Sequence, residues 1–394
     1  MKQVLFPEVV WFQEGPGVRN TQYTNSGVKL LNVANLVDGK VDLSNTDRYI
    51  SEEEAYGKYK HFLVDDGDFI IASSGIKVEY FDKKMGFISE TQLPLCMNTS
   101  TIRFKVLDKS ILDIRYFMYF LKTDRFKQQL AREITGSAQL NFGPSHLKKM
   151  HLPLIDLTAQ RHIAAVLDKV SDLMAKRRQQ LDKLDELVKS RFIEMFGVYP
   201  ANPMGWEIGT IRDIVTEVRY GSSRPAVDGG KYPYLRMNNI TYGGELDLSD
   251  TKRIDIPDNE LDKCTVRRGD ILFNRTNSKE LVGKTCVYDR DEMMVLAGFV
   301  IRIRVKDRIL PEFLSAFLNT DFSKQMLLGM CKTAIGQANI NAQELQNIGL
   351  YLPPVELQRR FVQFKKETDK SKYRQEKCIR FFQCLEKNIR QEWL

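Results

Sequence analysis

The sequence predicts a mixed α/β (α+β) fold with a pseudo-two-fold internal repeat, in which two similar globular domains alternate with two long helices. Three observations indicate this arrangement. Short motifs of the first half return in order in the second half, the final stretches of the two halves align without a gap, and each half ends with helical periodicity. Because the apolar stripe of each helix is narrow, we expect the two helices to pack on each other as an antiparallel coiled coil.

The recurring motifs are short polar and Gly-Asp sequences. They comprise Asn32-Val33-Ala34-Asn35-Leu36 with Arg236-Met237-Asn238-Asn239-Ile240, Asp42-Leu43-Ser44-Asn45-Thr46 with Asp247-Leu248-Ser249-Asp250-Thr251, and Gly67-Asp68-Phe69-Ile70 with Gly269-Asp270-Ile271-Leu272. Residues 135–196 align with residues 333–394 at a constant offset of 198 positions, and eleven of these 62 pairs are identical. Such a half-length repeat predicts two equivalent modules rather than one domain with a unique active site.

The composition is that of a globular, basic protein. Of the 394 residues, 43% are hydrophobic and 28% charged, and the 59 Lys and Arg leave a formal net charge of +8. This balance favours a nucleic-acid partner, although a merely basic surface gives the same charge. The six cysteines lack metal-ligand spacing, and residues 1–13 lack the pattern of a signal sequence. We therefore expect a cytoplasmic protein without membrane contact, metal or cofactor.

Residues 1–155 are predicted to form the first globular domain, with short strands, turns and one helical stretch near residues 112–132. Residues 156–197 follow as a central helical spacer, with Thr158 as N-cap and Gly197 as the stop. About forty helical residues make a rod of about 60 Å. The apolar positions of this spacer fit one heptad frame with four polar interruptions, namely Ile163, Val166, Val170, Leu173, Leu184 and Leu187, interrupted at Arg177, Gln180, Arg191 and Glu194.

Residues 198–352 are predicted to form the second globular domain, and its strand signals are Tyr232–Ile240, Asp270–Phe273 and Phe299–Val305. Pro353-Pro354 open the C-terminal helical spacer, residues 353–394. The residues predicted to pack the two spacers together are Ile163, Val170, Leu184, Leu187, Phe361, Phe382 and Leu385. Because polar residues interrupt both stripes, folding of each helix back onto its own domain stays open as the alternative.

Further motifs are placed alike in the two halves. The first domain has Glu14-Gly15-Pro16-Gly17-Val18-Arg19-Asn20. The second domain has Tyr220-Gly221-Ser222-Ser223, Arg268-Gly269-Asp270-Ile271-Leu272 and Leu281-Val282-Gly283-Lys284. The start of the first spacer is marked by Leu152-Pro153-Leu154 and Gln160-Arg161, and that of the second by Leu352-Pro353-Pro354 and Gln358-Arg359. With these motifs, the order of domain, long helix, domain, long helix resembles the DNA-specificity (S) subunit of Type I restriction-modification systems over essentially the whole chain. In that family, two target recognition domains are joined by two helical spacers.

The resemblance implies a non-catalytic subunit, in which each domain reads one half of an asymmetric, bipartite site on double-stranded DNA. It also implies that the helices set the spacing of the half-sites and dock two methyltransferase (M) subunits. Restriction (R) subunits would join through the complex, whose adenine methyltransferase and endonuclease activities lie on the other subunits. Two similar readers on a rigid spacer would contact half-sites about one turn of DNA apart. The first domain departs from the pattern, since Ala72-Ser73-Ser74-Gly75 stand where the second domain has Asn274-Arg275-Thr276-Asn277.

Motifs of catalysis are missing from the sequence. Leu352-Pro353-Pro354-Val355 lacks the amide and the aromatic residue of the loop that adenine methyltransferases use, Asn/Asp-Pro-Pro-Tyr/Phe. Gly15-Pro16-Gly17 lacks the third glycine of a dinucleotide fingerprint, and no Walker motif occurs. Two hypotheses of other classes stay open. One is a stand-alone nuclease that uses Asp65-Asp66 with Asp68, or Glu52-Glu53-Glu54, and the other is a coiled-coil protein scaffold without a role in DNA binding.

Polar loop positions are the candidate DNA contacts, because Arg, Lys, Asn, Gln, Ser and Thr read base edges in the grooves. In the first domain they are Arg19, Asn20, Asn32, Asn35, Ser73, Ser74 and Lys77. In the second domain they are Tyr220, Ser222, Ser223, Arg224, Arg236, Asn238, Asn239, Arg275, Thr276, Asn277 and Lys279. For each of them the alternative is that the side chain only builds a turn or a solvated surface.

Overall fold

The computed structural model of the protein describes residues 2–134, 140–334 and 337–394. Residues 135–139, with which the gapless alignment of the two halves begins, lie outside this description. Among the described residues, no helix combines the length and the hydropathy required to cross a membrane.

The chain divides into two compact units. The first unit contains the residues up to Lys176 together with Cys378–Leu394, and the second contains Arg177–Lys377. Each unit therefore includes one globular domain and a part of each long helix. The boundaries predicted at residues 155, 197 and 352 instead follow chain order, and they stay a prediction.

Two sheets form the centre of the first unit. Its strands are β1 (Lys2–Leu5), β2 (Val10–Glu14), β3 (Val28–Leu31), β4 (Leu36–Val37), β5 (Lys40–Val41), β6 (Tyr49–Ile50), β7 (Phe69–Ala72), β8 (Ser74–Ile76), β9 (Met85–Phe87), β10 (Leu95–Met97), β11 (Thr101–Val106), β12 (Leu140–Asn141) and β13 (His151–Leu154). The four-stranded antiparallel sheet has the order β2-β11-β7-β9. The three-stranded sheet has the order β10-β3-β6, with β10 and β3 parallel. Three short ribbons pair β1 with β13, β8 with β12 and β4 with β5.

Aromatic side chains connect the helices of the first unit to its core. The helices are α1 (Phe6–Val9), α2 (Glu52–Tyr56), α3 (Ile114–Leu121), α4 (Asp124–Glu133), α5 (Pro144–Leu147) and the first part of α6 (Leu157–Phe196). Phe6 and Phe117 are fully buried, and their ring centroids lie 5.0 Å apart. The single helical stretch predicted near residues 112–132 is wrong, because Thr123 separates two helices. The Thr123 hydroxyl accepts the Phe126 N–H at 3.2 Å and thereby caps the second of them.

The second unit repeats this arrangement of sheets. Its strands are β14 (Glu207–Thr210), β15 (Val215–Tyr220), β16 (Tyr232–Leu235), β17 (Lys252–Ile254), β18 (Thr265–Val266), β19 (Ile271–Asn274), β20 (Thr276–Asn277), β21 (Thr285–Val287), β22 (Met294–Leu296), β23 (Val300–Val305), β24 (Lys332–Ala334), β25 (Gln337–Asn339) and β26 (Gly349–Leu352). The antiparallel sheet β15-β23-β19-β21 corresponds to β2-β11-β7-β9. In the sheet β17-β16-β22-β18, the parallel pair β16–β22 corresponds to β3–β10. The internal repeat is thus confirmed as a repeat of structure.

The helices of the second unit also follow the order of the first. They are the second part of α6, α7 (Ile211–Ile214), α8 (Asp258–Cys264), α9 (Pro311–Leu318), α10 (Asp321–Met330), α11 (Ala342–Gln346) and the first part of α12 (Val355–Trp393). Short 3₁₀ segments occur at Asn20–Gln22, Val33–Asn35, Leu43–Asn45, Lys60–Phe62, Val78–Lys83, Glu90–Gln92 and Met237–Asn239. The strand predicted over Tyr232–Ile240 ends at Leu235, because the chain then turns into the segment Met237–Asn239.

Two glutamines attach the long helices to their domains. Gln160, near the start of α6, is fully buried and accepts the Asp113 N–H at 2.9 Å. Gln358, at the same place in α12, is fully buried and accepts the Leu310 N–H at 2.8 Å. These identical positions of the repeat therefore fix the angle at which each helix leaves its domain.

The ends of α6 follow ordinary capping chemistry. The Asp156 carboxylate accepts the Ala159 N–H at 2.9 Å, so Asp156 caps the helix and the predicted cap Thr158 is wrong. The helix ends at Phe196, and Gly197 follows with a φ of +83°, as predicted for the stop.

The heptad frame of α6 differs from the predicted frame at every second core position. The stripe of buried and half-buried side chains that follows the heptad period consists of Ile163, Leu167, Val170, Met174, Arg177, Leu181, Leu184, Val188, Arg191 and Met195. Beside it, Ala164, Phe192 and Phe196 are buried, and the predicted positions Val166 and Leu173 are half-buried. Leu187, predicted to pack, is 47% exposed, and its neighbour Val188 packs against the core instead. Gln180 and Glu194 are likewise exposed, so they do not interrupt the stripe. On α12, Phe361 is buried, whereas Phe382 and Leu385 are half-buried.

The two long helices pack together as an antiparallel pair within the second unit. The contacts that join them include Phe192 with Phe361 at 5.2 Å between ring centroids, Asp185 with Lys372 at 2.7 Å, and Arg177 with Gln375 at 3.0 Å. As the residue numbers fall along α6 they rise along α12, which defines the antiparallel direction. The alternative in which each helix packs only on its own domain does not hold, because Phe192 and Phe361 share one core.

Candidate nucleic-acid interface

A buried asparagine shapes the loop that carries two of the predicted contacts in the second unit. Asn239 accepts the Arg236 N–H through Oδ1 at 2.8 Å and donates from Nδ2 to the Asp247 carbonyl at 2.8 Å. Because these bonds occupy its side chain, Asn239 builds the turn, and the base contact predicted for it is withdrawn. Its neighbour Asn238 is left exposed at the surface.

The Gly-Asp motif anchors the central strand of each antiparallel sheet. Gly269 has a φ of +91°, which favours glycine, and Asp270 behind it is buried against Arg304 at 2.8 Å. In the first unit Asp68 is buried against Arg103 at 3.1 Å. A buried carboxylate of this kind requires a cationic partner, so the motif recurs for a structural reason.

One cleft in the second unit gathers most of the predicted polar contacts. Its wall depends on Gly221, since a side chain there would collide with the carbonyl oxygens of Leu296 and Ala297. This close approach of two backbone segments leaves a cleft of about 470 Å³. Six predicted contacts line it: Ser222, Ser223, Arg224, Arg236, Asn238 and Arg275.

Arg275 is held in this cleft by an aromatic ring. Its guanidinium carbon lies 4.8 Å from the centroid of the Tyr220 ring, and the Tyr220 hydroxyl accepts the Ala342 N–H at 2.8 Å. Within the described part of the chain, no carboxylate lies at ion-pair distance from Arg275. The arrangement therefore offers an oriented cation to an anionic or base-edge partner.

The other two arginines of the cleft are already paired with carboxylates. Arg236 lies 2.9 Å from Asp250, and Arg224 lies 2.6 Å from Glu260. The hydrogen bond between Arg224 and Glu260 raises the pKa of the arginine and lowers the pKa of the glutamate. A phosphate or base that binds these arginines must therefore compete with an internal carboxylate.

The remaining predicted contacts of the second domain lie outside the lining of the cleft. Thr276 pairs with Asn339 in the strand ladder, and the Asn277 amide oxygen accepts the Ser278 N–H at 2.8 Å. Lys279 is exposed. Inside the cleft, Ser222 is only 6% exposed, so Ser223 is the more accessible of the two serines.

The predicted contacts of the first domain are more dispersed. Arg19, Asn20 and Lys77 are exposed, and Ser74 is half-buried with its hydroxyl 2.5 Å from that of Ser100. By contrast, the side chains of three others, Asn32, Asn35 and Ser73, are buried.

Hydrogen bonds within the first unit occupy the two buried asparagines. Asn35 accepts the Asn32 N–H at 2.9 Å and so repeats the turn of Asn239. The Asn32 side chain accepts an amide hydrogen of Asn98 at 2.9 Å. The base contacts predicted for Asn32, Asn35 and Ser73 are therefore withdrawn, because buried side chains do not reach a groove.

Most acidic residues of the nuclease hypothesis are paired with a cation or stand in the first turn of a helix, whereas Asp66 is exposed. Asp65 lies 2.5 Å from Lys105, and the hydrogen bond from that lysine lowers the pKa of Asp65. Asp68 is buried between Arg103 and Lys105. Glu52-Glu53-Glu54 form the first turn of α2, where negative charge stabilises the helix N-terminus. The pairing of Asp65 and Asp68 with Lys105 and Arg103 opposes the use of these two carboxylates as metal ligands.

A comparison with known protein families decides the assignment. The family model described as "Type I restriction modification DNA specificity domain" matches the chain twice, at residues 19–183 and 203–378. The chain belongs to this family. Each match spans one globular domain and a large part of the helix that follows it, so the DNA specificity domain is the module that the internal repeat duplicates.

Curated relatives of the specificity-domain family are distant in sequence. The Type I restriction enzyme EcoKI specificity subunit of Escherichia coli (strain K12) is 22% identical over 263 residues, which cover 63% of this chain and 56% of that protein. The StySPI specificity subunit of Salmonella potsdam is 20% identical over 311 residues, covering 75% of this chain and 66% of that protein. The matched regions thus span between half and two-thirds of these relatives.

Solved structures share the fold over nearly the whole chain. One belongs to a study of complex assembly and conformational transition of the type I R-M system, with a TM-score of 0.60, 17% identity, and coverage of 99% of this chain and 96% of that one. The S subunit from M. genitalium has a TM-score of 0.53 at 14% identity, with coverage of 99% and 94%. At these identities the likeness establishes the fold alone.

Some residues of these specificity domains were not among the predicted contacts. In the first unit Tyr80, Lys83 and Lys84 line, with Lys77, a separate cleft of about 400 Å³. The signal was present in the sequence, because the aromatic pair Tyr80-Phe81 stands between Lys77 and Lys83-Lys84. In the second unit Phe299 lines the cleft of Arg275. An isolated phenylalanine gives no such signal, since most phenylalanines are buried.

Proposed function

We propose that this protein is the non-catalytic DNA-specificity subunit of a Type I restriction-modification complex, and that each domain reads one half of an asymmetric, bipartite site. The observation that carries the proposal is the double match to the DNA specificity domain. A cleft with an oriented arginine and exposed Ser and Asn side chains in the second unit supports it further.

The cleft has the chemistry needed to read base edges. Arg275 would bind the O6 and N7 atoms of a guanine, and Asn238 is suited to the N6 and N7 atoms of an adenine. Ser223 would bind either a base edge or a phosphate. Arg224 and Arg236 would contribute less positive charge to the contact with DNA, because Glu260 and Asp250 offset the charge of these two arginines.

The two halves of the recognised site should differ, because equivalent positions of the two domains carry different side chains. Asn32 stands where the second domain has Arg236, and Ser73 stands where it has Arg275. The first domain is therefore poorer in cations at these two positions. We infer that it reads its half-site mainly through exposed residues such as Lys77 and Arg19.

Other subunits would supply the enzymatic activities. The curated relatives are specificity subunits of Type I restriction enzymes. We propose that this chain works in the cytoplasm with two M subunits, which the long helices dock, and with R subunits through the assembled complex. Exposed aromatic side chains on α12, Tyr373 at 61% and Phe381 at 63%, are suited to such docking.

The direct test is to coexpress the chain with its M subunits and to map methylated adenines across a genome. We expect one split motif with unlike halves. Absence of any motif, together with binding that does not depend on salt, would favour the scaffold hypothesis. Magnesium-dependent nicking of plasmid DNA by the purified chain would favour the nuclease hypothesis.

A single substitution tests the reading role of Arg275. Arg275→Ala should weaken binding of the split site by about 1–3 kcal/mol and relax the choice at one base pair of one half-site. The matched control is Arg268→Ala, because Arg268 is exposed and paired with Asp291 at 2.7 Å. Equal weakening on all DNA sequences would instead make Arg275 a phosphate contact.

A further inference from the structure

The two units make the same backbone hydrogen bond at equivalent positions but carry different side chains there. The Arg275 N–H donates to the Phe299 carbonyl at 3.0 Å, and the Ser73 N–H donates to the Ser100 carbonyl at 2.9 Å. The scaffold is thus equivalent, while an arginine and a phenylalanine in one unit replace two serines in the other. Positions of this kind are where two copies of one module acquire different preferences.

Phe299 is an exposed aromatic residue inside a polar cleft. Its side chain is 53% exposed, and it lines the cleft together with Ser223, Asn238 and Arg275. The backbone around it is fixed, since the preceding Gly298 N–H donates to the Ser222 carbonyl at 2.7 Å. The ring is therefore presented at a defined place in the cleft that Arg275 also lines, without a role in the hydrophobic core.

We propose that Phe299 is a specificity-determining residue that contacts the 5-methyl group of a thymine next to the base read by Arg275. This inference rests on the proposed function. Among the base edges of the major groove, only thymine presents an apolar group, and phenylalanine is one of the side chains that contact it. Phe299 has no polar side-chain atom, so it favours thymine over cytosine through that methyl group alone. The serine at the equivalent position of the first unit gives no such preference.

The test uses DNA that differs by one methyl group. The split DNA site is first identified with the chain and its M subunits. Each thymine in the half-site read by the second domain is then replaced in turn by uracil, which lacks the 5-methyl group. The wild-type complex should lose affinity roughly three- to five-fold at one thymine, the effect expected for one buried methyl group. The Phe299→Ala complex should bind thymine and uracil equally at that position.

A matched variant separates this contact from a general loss of apolar surface. Met293 belongs to the same unit, is 47% exposed and lies outside the cleft, so Met293→Ala should keep the preference for thymine. The inference is overturned if the half-site contains no thymine, if uracil is tolerated everywhere by the wild-type complex, or if Phe299→Ala still prefers thymine. If the wild-type complex selects no split site at all, the proposed function itself fails.

Discussion

At the scale of single residues, burial separates side chains that are identical in the sequence. Asn238 and Asn239 are neighbours, and both were predicted to read DNA. The first is exposed in the cleft, whereas the second is 2% exposed and bonds to backbone groups on both sides of its loop. Substitution of each should therefore have a different effect.

Asn239→Ala should destabilise the second unit by about 1–3 kcal/mol, because it leaves buried backbone groups without a partner. Asn238→Ala is the control and should leave the free energy of unfolding within about 0.5 kcal/mol of the wild type. Urea unfolding followed by circular dichroism measures both. Equal stability of the two variants would show that the turn does not depend on the asparagine side chain.

A half-buried lysine, Lys324, should make the stability of the second unit depend on pH. Burial, together with nearby Lys284 and Lys189, lowers the pKa of Lys324 from 10.5 to about 7. Between these two values the unfolded chain binds a proton that the folded chain has released. The free energy of unfolding should therefore rise with pH from about 7 to 10.5, by at most about 1.4 kcal/mol per pH unit from this group.

Lys324→Met should flatten that rise, because the methionine does not titrate. Unfolding in urea at several pH values between 7 and 10 measures the slope for each protein. Lys370 is exposed on α12, so Lys370→Met should keep the slope of the wild type. An unchanged slope in Lys324→Met would mean that the lysine is charged in the folded protein at neutral pH.

At the scale of elements, the long helices show how a polar seam specifies packing. Lys372 on α12 lies 2.7 Å from Asp185 on α6 and 2.5 Å from Glu245 in a loop of the second domain. Burial alone would lower the pKa of Lys372, but the hydrogen bonds to the two carboxylates reverse this and raise it. The charged side chain thus connects both helices with the domain, as polar core positions do when they fix the register of coiled coils.

The corrected heptad frame leads to a test with two leucines three residues apart. Leu184 is half-buried on the packed side of α6, and Leu187 is exposed. Leu184→Asp should reduce the free energy of unfolding by about 1–3 kcal/mol and disturb the spacing preference, because a charge enters the seam. Leu187→Asp should change stability by less than about 0.5 kcal/mol. Methylation mapping and urea unfolding measure the two effects. Similar losses in both variants would contradict the frame.

At the scale of the whole molecule, the two units are built from the chain in different ways. The second unit is the continuous stretch Arg177–Lys377, whereas the first is completed by Cys378–Leu394 from the far end of the chain. In that segment Leu394 is 5% exposed in the core of the first unit, and Arg390 lies 3.4 Å from Asp82.

We therefore expect fragment 177–377 to fold alone, whereas fragment 1–176 should be less stable without the C-terminal segment. A peptide of residues 378–394 should raise the melting temperature of fragment 1–176 by several degrees, since burial of Leu394 and Ile389 contributes about 1–3 kcal/mol. The control peptide carries Asp at both positions and should have no effect. If the intact peptide leaves the melting temperature of fragment 1–176 unchanged, the assignment of residues 378–394 to the first unit is contradicted.

The sequence by itself determined the repeat, the order of domains and helices, and the family. The elements follow from local patterns such as the Gly-Asp turns and Gly197 after a helix, which are set by backbone preferences of neighbouring residues. The repeat follows from the constant offset between the two halves. The cleft was partly foreseen, because turn-rich polar motifs lie at the ends of strands and six of their residues meet there.

Only the tertiary structure decided which of these residues face solvent and which build the loops. The side chains of Asn35 and Asn239 depend on backbone groups elsewhere in the loop, and the packing of Val188 rather than Leu187 depends on the neighbouring core. The place of Phe299 depends on a turn between two sheets that is held against Ser222. Burial is a property of distant contacts, and no local pattern in the chain specifies it.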